Sequence, residues 1–436
     1  MKSEILRLLK ESDTYISGQQ LCEQFQVSRT AIWKVIDQLK KEGYEIEAVR
    51  NKGYRLIDSP DVMSKAEIES LVDTKWAGKN VVYYDEIDST NNRAKEAGDN
   101  GAAHGTLFVA DMQVAGKGRR GRVWKSPSGS SIYMTILLYP DIPPVKAPQL
   151  TLLMAIAVAE GIQEVTGLET KIKWPNDIVV NGRKICGILT EMSTEIDYIN
   201  HVLIGAGINV NQDTFSDDIK ATASSLKLEL GKSVKRSELI AAVMKSFEKC
   251  YEIFIKTEDL SGLQELYNSM LVNRDQEVKV LEPGNEYKAH AIGINQTGEL
   301  IVRTPDGKEK EIYAGEVSVR GVYGYDEKVV LCGANSYEEK YYLNPDFEQL
   351  PDDVKNELKI MCVLYVHDVG GILTLVFEEN GELCFEVTSD DFDPMFDDIG
   401  SQLKIKQLQR DKQDLLQALQ LYYKVFFLGE EINSEE

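Results

Sequence analysis

Paired cysteines, long apolar runs and the commonest phosphate-binding signature are all missing from this 436-residue sequence. The six cysteines, at 22, 186, 250, 332, 362 and 384, form no Cys-x-x-Cys pair. That excludes a disulfide framework or a zinc ribbon and reads as reduced, mostly buried thiols of a cytoplasmic protein. No run of eighteen apolar residues occurs, so no membrane-crossing helix and no membrane association is expected. The opening MKSEILRLLKESD is amphipathic and carries both charge signs, without the apolar core of a signal peptide. G-x-x-x-x-G-K-[S/T] is absent, so there is no P-loop. The sequence offers no nucleophile–base triad, no EF-hand spacing and no set of residues that reads as a protein-held metal site.

What is present is ordinary soluble composition, 43% hydrophobic and 28% charged, which excludes collagen-like, low-complexity and wholly disordered chains. The length suits two to four domains. Net charge is −22, which argues against bulk nucleic-acid binding, but it is unevenly spread. Residues 1–60 are at +1, residues 61–325 at −7 and residues 326–436 at −16. Only the N-terminus is suited to approach DNA.

There, Ser17-Gly-Gln-Gln20 fits a capping box opening a helix to Phe25, Gln26-Val27 connects, and Ser28 caps a second helix. Ile32, Val35, Ile36 and Leu39 share one face of that helix, and Gly43 stops it. Strands at 46–49 and 54–56 flank the basic turn Arg50-Asn-Lys-Gly53. The order describes a winged helix-turn-helix, with Arg29, Thr30, Trp33 and Lys34 facing the major groove and Arg50 and Lys52 of the wing meeting phosphates. A small protein-binding helical module is the alternative. Leu56–Pro60 reads as the exit linker.

From residue 80 strand-like and helix-like segments alternate: strands at 81–84, 106–109, 132–138, 171–174, 178–180, 184–191 and 201–210, with helices starting near Thr90 and spanning 150–165. This is an α/β domain with a mixed sheet. Within it, Gln113-Val-Ala-Gly-Lys-Gly-Arg-Arg-Gly-Arg122 packs three glycines and four basic residues into positions 116–122. Such a segment suits neither strand nor helix and is fitted to fold around an anion, with backbone N–H groups and cations together facing phosphates. A solvated basic loop or a second DNA patch is the bland reading. Asp88-Ser-Thr-Asn91, Lys173-Trp-Pro-Asn-Asp177 and Gly182-Arg-Lys-Ile-Cys-Gly187 are each weak alone: a helix cap, a packed turn, a turn into a strand.

In this order, these segments with Trp124, Gly205-Ala-Gly-Ile-Asn209 and Gly315-Glu-Val-Ser-Val-Arg320 resemble the biotin–protein ligases, specifically the bifunctional type that doubles as the biotin operon repressor. The resemblance covers about residues 1–323, and the Gly-Arg loop with Lys-Trp-Pro-Asn-Asp is its most specific part. The family usually has arginine where this chain has Lys117, which keeps the charge but not the planar fork.

The resemblance implies a two-step reaction: biotin and ATP, with Mg²⁺ on the phosphates, give biotinyl-5′-AMP, and an acceptor lysine of a biotin carboxyl-carrier protein takes the biotinyl group. It assigns Ser89, Thr90, Asn91 and Gln113 to biotin, with Lys117, Gly118, Arg119 and Lys184 at its carboxylate. It assigns Gly116, Arg119, Arg122, Trp124, Asn176, Gly187, Asn209 and Arg320 to the nucleotide. Lys184, Arg119 and Asp177 are the catalytic candidates, Asp177 orienting Lys184 or holding the metal. Glu316 and Arg320 match positions that approach the nucleotide or acceptor, or form an exposed strand charge pair. Operator DNA of biotin genes and a homodimer formed in the adenylate-bound state are the other implied partners. A lipoate–protein ligase, or a biotin-sensing regulator without ligase activity, are the competing readings.

Strands at 276–280, 287–292, 300–303 and 308–313, separated by Gly and Pro-Asp-Gly turns, spell a small all-β barrel, which the resemblance implies is SH3-like. Beyond Tyr325 the resemblance stops. Strands at 360–367, 372–378 and 383–387, joined at Gly370-Gly371 and Asn380-Gly381, precede a helix with Ile405, Leu408, Leu415, Leu419, Tyr422 and Phe426 on one stripe. Asp390-Asp-Phe-Asp393 and Asp397-Asp398 read as solvated loop. The expectation is a multidomain α+β protein: winged helix-turn-helix at 1–60, α/β catalytic domain at 65–270, β-barrel at 271–323, and an acidic α/β extension of unassigned role at 326–436.

Overall fold

The computed structural model describes residues 1–119, 124–194, 198–216, 219–220, 222–282, 285–313, 318–321, 329–337, 340–344, 347, 349–377, 381–389 and 398–426. The chain forms two compact units, Met1–Tyr323 and Gly324–Glu436.

The first unit opens with α1 (Lys2–Glu11), α2 (Gly18–Phe25), α3 (Arg29–Lys41), β1 (Glu45–Val49) and β2 (Gly53–Asp58). The capping box forms as expected: Ser17 Oγ accepts from the Gln20 N–H and Gln20 Oε1 from the Ser17 N–H, both at 3.0 Å. Gln26 turns left-handed between the helices, and Ser28 Oγ accepts from the Ala31 N–H. Ile5, Leu6, Leu9, Leu21, Ile32, Val35, Ile36, Leu39, Tyr44 and Ile46 close one core. Gly53, at φ +117, is where β2 crosses the α1–α2 loop; a Cβ there would lie 2.0 Å from the Ile16 carbonyl oxygen, so only glycine fits. β2 runs to Asp58, taking up part of the segment expected as linker.

After α4 (Lys65–Leu71) come β3 (Val81–Ile87), α5 (Thr90–Asp99), β4 (Leu107–Gln113), β5 (Ser131–Leu138), α6 (Gln149–Thr166), β6 (Lys171–Lys173), β7 (Asp177–Val180), β8 (Arg183–Thr194) and β9 (Ile199–Asn209). The strands form one seven-stranded sheet, order β3-β4-β5-β9-β8-β7-β6. It is mixed, as expected: β3 and β4 are parallel, α5 making the crossover, and the other pairs are antiparallel.

α7 (Leu226–Leu230), α8 (Arg236–Thr257) and α9 (Gln264–Met270) follow. α6 and α8 cross closely, since a Cβ on Gly161 would lie 2.7 Å from Val243 Cγ2. The stretch Pro144–Thr166 is long and apolar enough to cross a bilayer, yet it is largely buried in this unit's core.

β10 (Gln276–Glu282), β11 (Asn285–Ile294), β12 (Leu300–Arg303), β13 (Glu309–Ile312) and β14 (Ser318–Gly321) make a second, antiparallel sheet, order β13-β12-β11-β10-β14. It holds the strands expected of the small barrel, and its apolar residues (Val278, Val280, Ile294, Leu300, Val302) join the same core as α6 and α8.

The second unit contains β15 (Val329–Asn335), β16 (Lys340–Leu343), α10 (Asp352–Val369), β17 (Ile372–Phe377), β18 (Leu383–Thr388), α11 (Asp398–Asp411) and α12 (Gln413–Phe426). Its antiparallel sheet, order β16-β15-β17-β18, and its helices share a core in which Phe377 stacks on Tyr423 at 4.2 Å between ring centroids.

Here the sequence reading is corrected. Residues 360–367 are helix, not strand. The β-branched run misled, but the buried set Leu358, Met361, Cys362, Tyr365, Val366 and Val369 has helical spacing, and Ile360, Val363 and Leu364 are exposed. Gly370 (φ +82) and Gly371 (φ +73) therefore link a helix to a strand rather than two strands. The expected single C-terminal helix is two, and among the described residues its buried apolar side chains are Leu416, Leu419 and Tyr423. Strands β15 and β16 were not foreseen. Residues 390–393 and 397 lie outside the described residues. All six cysteines are free, and Cys186, Cys250, Cys332 and Cys362 are buried.

Candidate active site

The sheet's β4, β5, β8 and β9 and the start of α5 converge on one polar cluster. Ser89, Thr90 and Asn91 open α5 and are buried at 2%, 4% and 5% exposure. Ser89 stands at the N-cap position but its side chain makes no capping bond, so this Ser-Thr-Asn is not simply a cap. Gln113 Oε1 accepts from the Thr90 N–H at 2.8 Å and from the Thr90 hydroxyl at 3.1 Å, while Gln113 Nε2 donates to Ser126 Oγ at 3.0 Å. Beside them, burial works against the Asp88 charge, but hydrogen bonds from Asn92, the Ser89 N–H and Arg93 outweigh it and hold that carboxyl below the usual range.

The Gly-Arg loop leaves this cluster through a narrow neck. The Trp124 N–H donates to the Gly116 carbonyl at 2.9 Å, and a Cβ on Gly116 would lie 2.4 Å from the Trp124 carbonyl oxygen. Lys117 Nζ reaches Asn92 Oδ1 at 2.7 Å, and Gly118 follows. Arg119 Nη1 donates to Asn176 Oδ1 at 2.8 Å. Asn176 is itself fixed on β8, donating to the Ile188 carbonyl and accepting from its N–H. Arg122 lies outside the described residues.

Trp124 lies on a glycine floor. A Cβ on Gly187 would come within 2.8 Å of its ring, and one on Gly207 within 2.6 Å of Nε1. Lys184 Nζ stands 5.6 Å from the ring centroid and 2.7 Å from Asp177 Oδ1. Beneath them burial pushes the Cys186 thiol up, which removes it as a nucleophile.

Trp174, by contrast, is a strut: it is 2% exposed, and its Nε1 donates to the Gly298 carbonyl, tying the catalytic sheet to the second sheet. Asn209 is 6% exposed, its Nδ2 donating to the Ser224 carbonyl. For Arg320 only the backbone is described, in β14 pairing with Lys279, and Glu316 lies outside the described residues. Among the described residues no three His, Cys, Asp or Glu side chains gather as a metal site.

The DNA-facing candidates Arg29, Thr30, Trp33, Lys34, Arg50 and Lys52 are all exposed, Trp33 at 56%. Arg29 donates to Gln19 Oε1 of α2 at 3.1 Å, and Lys52 sits over the Tyr15 ring. Sequence reasoning missed what holds this domain in place. Glu67 of α4, 1% exposed, pairs with Lys10 and accepts from the Tyr44 hydroxyl at 2.6 Å. Arg7 Nη2 donates to the carbonyls of Glu69 and Val72.

It also missed Arg236, whose buried guanidinium bridges Asp61, just past the wing, and Asp111 on β4, whose other oxygen accepts from Ser128 and the Gly129 N–H. None of these contacts has a local sequence signal, because each joins segments far apart in the chain.

A winged helix-turn-helix attached to an α/β domain in which a glycine–arginine segment, Trp124 and the Lys184–Asp177 pair lie together is the arrangement of a DNA-binding ligase of the biotin/lipoate type. Residues 2–55 match the HTH domain family, 83–209 the biotin/lipoate A/B protein ligase family, 275–320 the biotin protein ligase C-terminal domain, and 328–431 a family of unknown function. The chain is 41% identical over 322 residues to the bifunctional ligase/repressor BirA of Bacillus subtilis, covering 73% of this chain and 98% of that one. It is 30% identical to BirA of Escherichia coli over 321 residues, covering 73% of this chain and 96% of that one. Among solved structures, the biotin protein ligase of Aquifex aeolicus in complex with biotin and ATP superposes with a TM-score of 0.50 at 32% identity, covering 56% of this chain and 99% of that one. The chain belongs to the family of bifunctional biotin–protein ligase/repressors, and is thus an enzyme, a biotin ligase with a helix-turn-helix domain. The helix-turn-helix and ligase family matches end at residue 320, short of the acidic second unit.

Proposed function

We propose that this protein activates biotin with ATP, transfers it to a lysine of a biotin carboxyl-carrier protein, and represses biotin genes at an operator. The observation that carries the first half is that Lys184, Trp124 and the Gly116–Arg119 neck lie beside the buried Thr90–Gln113 cluster: a cationic, glycine-floored site next to a set of buried polar side chains.

The biotin carboxylate oxygen attacks the α-phosphorus of ATP, the bond to the bridging oxygen breaks, and pyrophosphate leaves. The acceptor lysine's neutral amine then attacks the carbonyl carbon of the mixed anhydride, AMP leaves, and the amine's proton passes to solvent. No enzyme nucleophile takes part; the work is positioning and charge neutralisation. Ser89, Thr90, Asn91 and Gln113 would hold the rigid ureido ring. Lys117, Gly118, Arg119 and Lys184 would gather on the carboxylate, with Asp177 aiming Lys184. Gly116, Arg119, Arg122, Trp124, Asn176, Gly187, Asn209 and Arg320 would serve the nucleotide; the buried Asn209 acts by shaping the wall. Mg²⁺ fits as an ion carried mainly by ATP phosphate oxygens and water, with Asp177 the carboxylate nearest the site lysine; bound there it would offset phosphate charge.

For the second half, one winged helix reads one half-site, so repression calls for a homodimer, formed when the adenylate is bound. The work divides among residues 1–60 for DNA, 65–270 for chemistry, 271–323 for the accessory sheet and 326–436, whose role is open. A cytoplasmic location fits the free thiols.

Incubation with ATP, labelled biotin and a carrier domain tests the ligase reading, which falls if the carrier stays unlabelled. Sedimentation with and without biotin and ATP tests the switch. A constitutive dimer whose operator affinity ignores biotin would leave only a ligase carrying a DNA-binding domain.

A further inference from the structure

Trp33 is the fifth residue of α3, the helix that a winged fold presents to a major groove, and it is 56% exposed. The domain core closes on Ile32, Val35, Ile36 and Leu39 of the same helix, and Trp33 is no part of it. Its neighbours on the outer face are Arg29 and Thr30, one turn earlier, and Lys34 beside it, all exposed. Arg29 is tied at one N–H to Gln19 Oε1 of α2 at 3.1 Å. One turn later Asp37 is paired with Lys41 at 2.7 Å, so the carboxylate next along this face is neutralised. A bare indole among cations, in a chain of net charge −22, is out of keeping with a face made only to stay in water. The cations suit phosphates; the indole calls for an apolar group lying between them.

We propose that Trp33 reads a thymine of the operator, its ring packing on the C5-methyl group and its indole N–H facing O4. The inference rests on the reading of residues 1–60 as an operator-binding domain. The N-terminal residues of such a helix meet base edges in the major groove, where each base shows a different set of groups. Tryptophan brings one donor, no acceptor and a large apolar ring. Cytosine shows a donor, which the indole cannot match. Adenine shows an acceptor beside a donor, and guanine two acceptors, but neither offers an apolar group to the ring. Thymine alone sets an acceptor next to a methyl group. Thr30, three residues before Trp33, stands where its own methyl group can flank the same base. A phosphate contact through the N–H would leave the ring itself in water, and Arg29, Lys34, Arg50 and Lys52 already serve phosphates.

The test begins with site selection from a randomised duplex pool by the full-length protein, with biotin and ATP at fixed salt, for wild type and W33A. Wild type is expected to select a half-site with thymine at one fixed position, and W33A to lose the preference at that position. The second arm measures Kd for the selected duplex with that thymine replaced by deoxyuridine, which removes only the methyl group. Wild type should bind the deoxyuridine duplex about fourfold more weakly, the loss expected for one buried methyl group. W33A should bind the two alike, and W33F, which keeps a ring, should keep the penalty. W33A should also bind the selected duplex about tenfold more weakly than wild type, yet bind random-sequence duplex nearly as well, because phosphate contacts carry non-specific binding. Equal weakening on both duplexes is the pattern of a ring that packs on the sugar–phosphate backbone or on protein, and it overturns the proposal. So does a wild type that ignores the deoxyuridine. That arm needs no variant, so a W33A that fails to fold does not remove the test. If wild type selects no site, the operator reading itself falls and this inference with it. If it selects a site whose thymine W33A still reads, only this inference falls.

Discussion

Lys184 Nζ stands 2.7 Å from Asp177 Oδ1, and the two residues come from adjacent antiparallel strands in which Lys184 pairs with Val179 and Asp177 with Gly187. The ammonium is thus held from one side, at a third of its full exposure, with the Trp124 ring beside it. A cation fixed in this way before substrate arrives need not be reorganised when negative charge builds on the reacting oxygens.

Lys184→Ala is therefore expected to lower the rate of biotin-dependent pyrophosphate exchange about 10²- to 10³-fold, the usual loss for one preorganised donor to a developing charge. Circular dichroism should be unchanged, because the side chain is not part of the core. Asp177→Asn should cost less, since Asn keeps an oxygen facing the ammonium. Exchange at the wild-type rate in the alanine variant would remove Lys184 from the chemistry.

Arg119 touches Asn176, and Asn176 is locked on β8 by two bonds to Ile188. Arg119→Gly is expected to let biotinyl-AMP escape rather than to stop its synthesis, read as labelling of bystander proteins mixed with the enzyme. Asn176→Ala should produce a weaker form of the same leak. Unchanged bystander labelling in both variants would show that the neck does not retain the intermediate.

The winged helix is docked through Glu67, which gathers Lys10, Tyr44 and, at 3.3 Å, Ser237. Removing one partner of a buried pair leaves the other uncompensated and typically costs about 3–5 kcal/mol. Glu67→Ala should release residues 1–60 from the rest of the unit, seen as faster proteolysis after Pro60. Carrier biotinylation should persist, because no site residue touches Glu67. Resistance to proteolysis equal to wild type would mean that the apolar contacts alone hold the domain.

Glu248 accepts from three successive backbone N–H groups, those of Lys75, Trp76 and Ala77, at 2.7–3.0 Å. Burial raises its pKa, but these bonds and the Lys75 charge outweigh it, so the folded carboxyl lies below its ordinary value. A depressed carboxyl contributes stability above its unfolded pKa, about 4.3, and loses it as the pH falls through the folded value. The Tm gap between wild type and Glu248→Gln should therefore be widest near neutrality and narrow below about pH 4. A gap independent of pH would show that the carboxylate charge contributes nothing there.

The sequence by itself determined the local machinery. Ser17, Gln20 and Ser28 write the helix starts of the winged domain, since a cap satisfies N–H groups within three residues of itself. Clustered glycine and arginine mark the loop at 116–122 because no regular element tolerates them, and the alternating strands of the mixed sheet are legible from their apolar periods. In the second unit the same reading failed at 360–367, where β-branched residues spoke for strand and the burial available on one face of a sheet decided for helix. Only the tertiary structure seated Trp124 on Gly187 and Gly207, turned Trp174 inward as a strut, docked the winged domain on Glu67 and carried Glu191 to Asn91. Those relationships join residues up to 124 positions apart. No local propensity encodes them; they exist because the strand order of the sheet and the packing of α4 and α8 place those side chains within bonding distance.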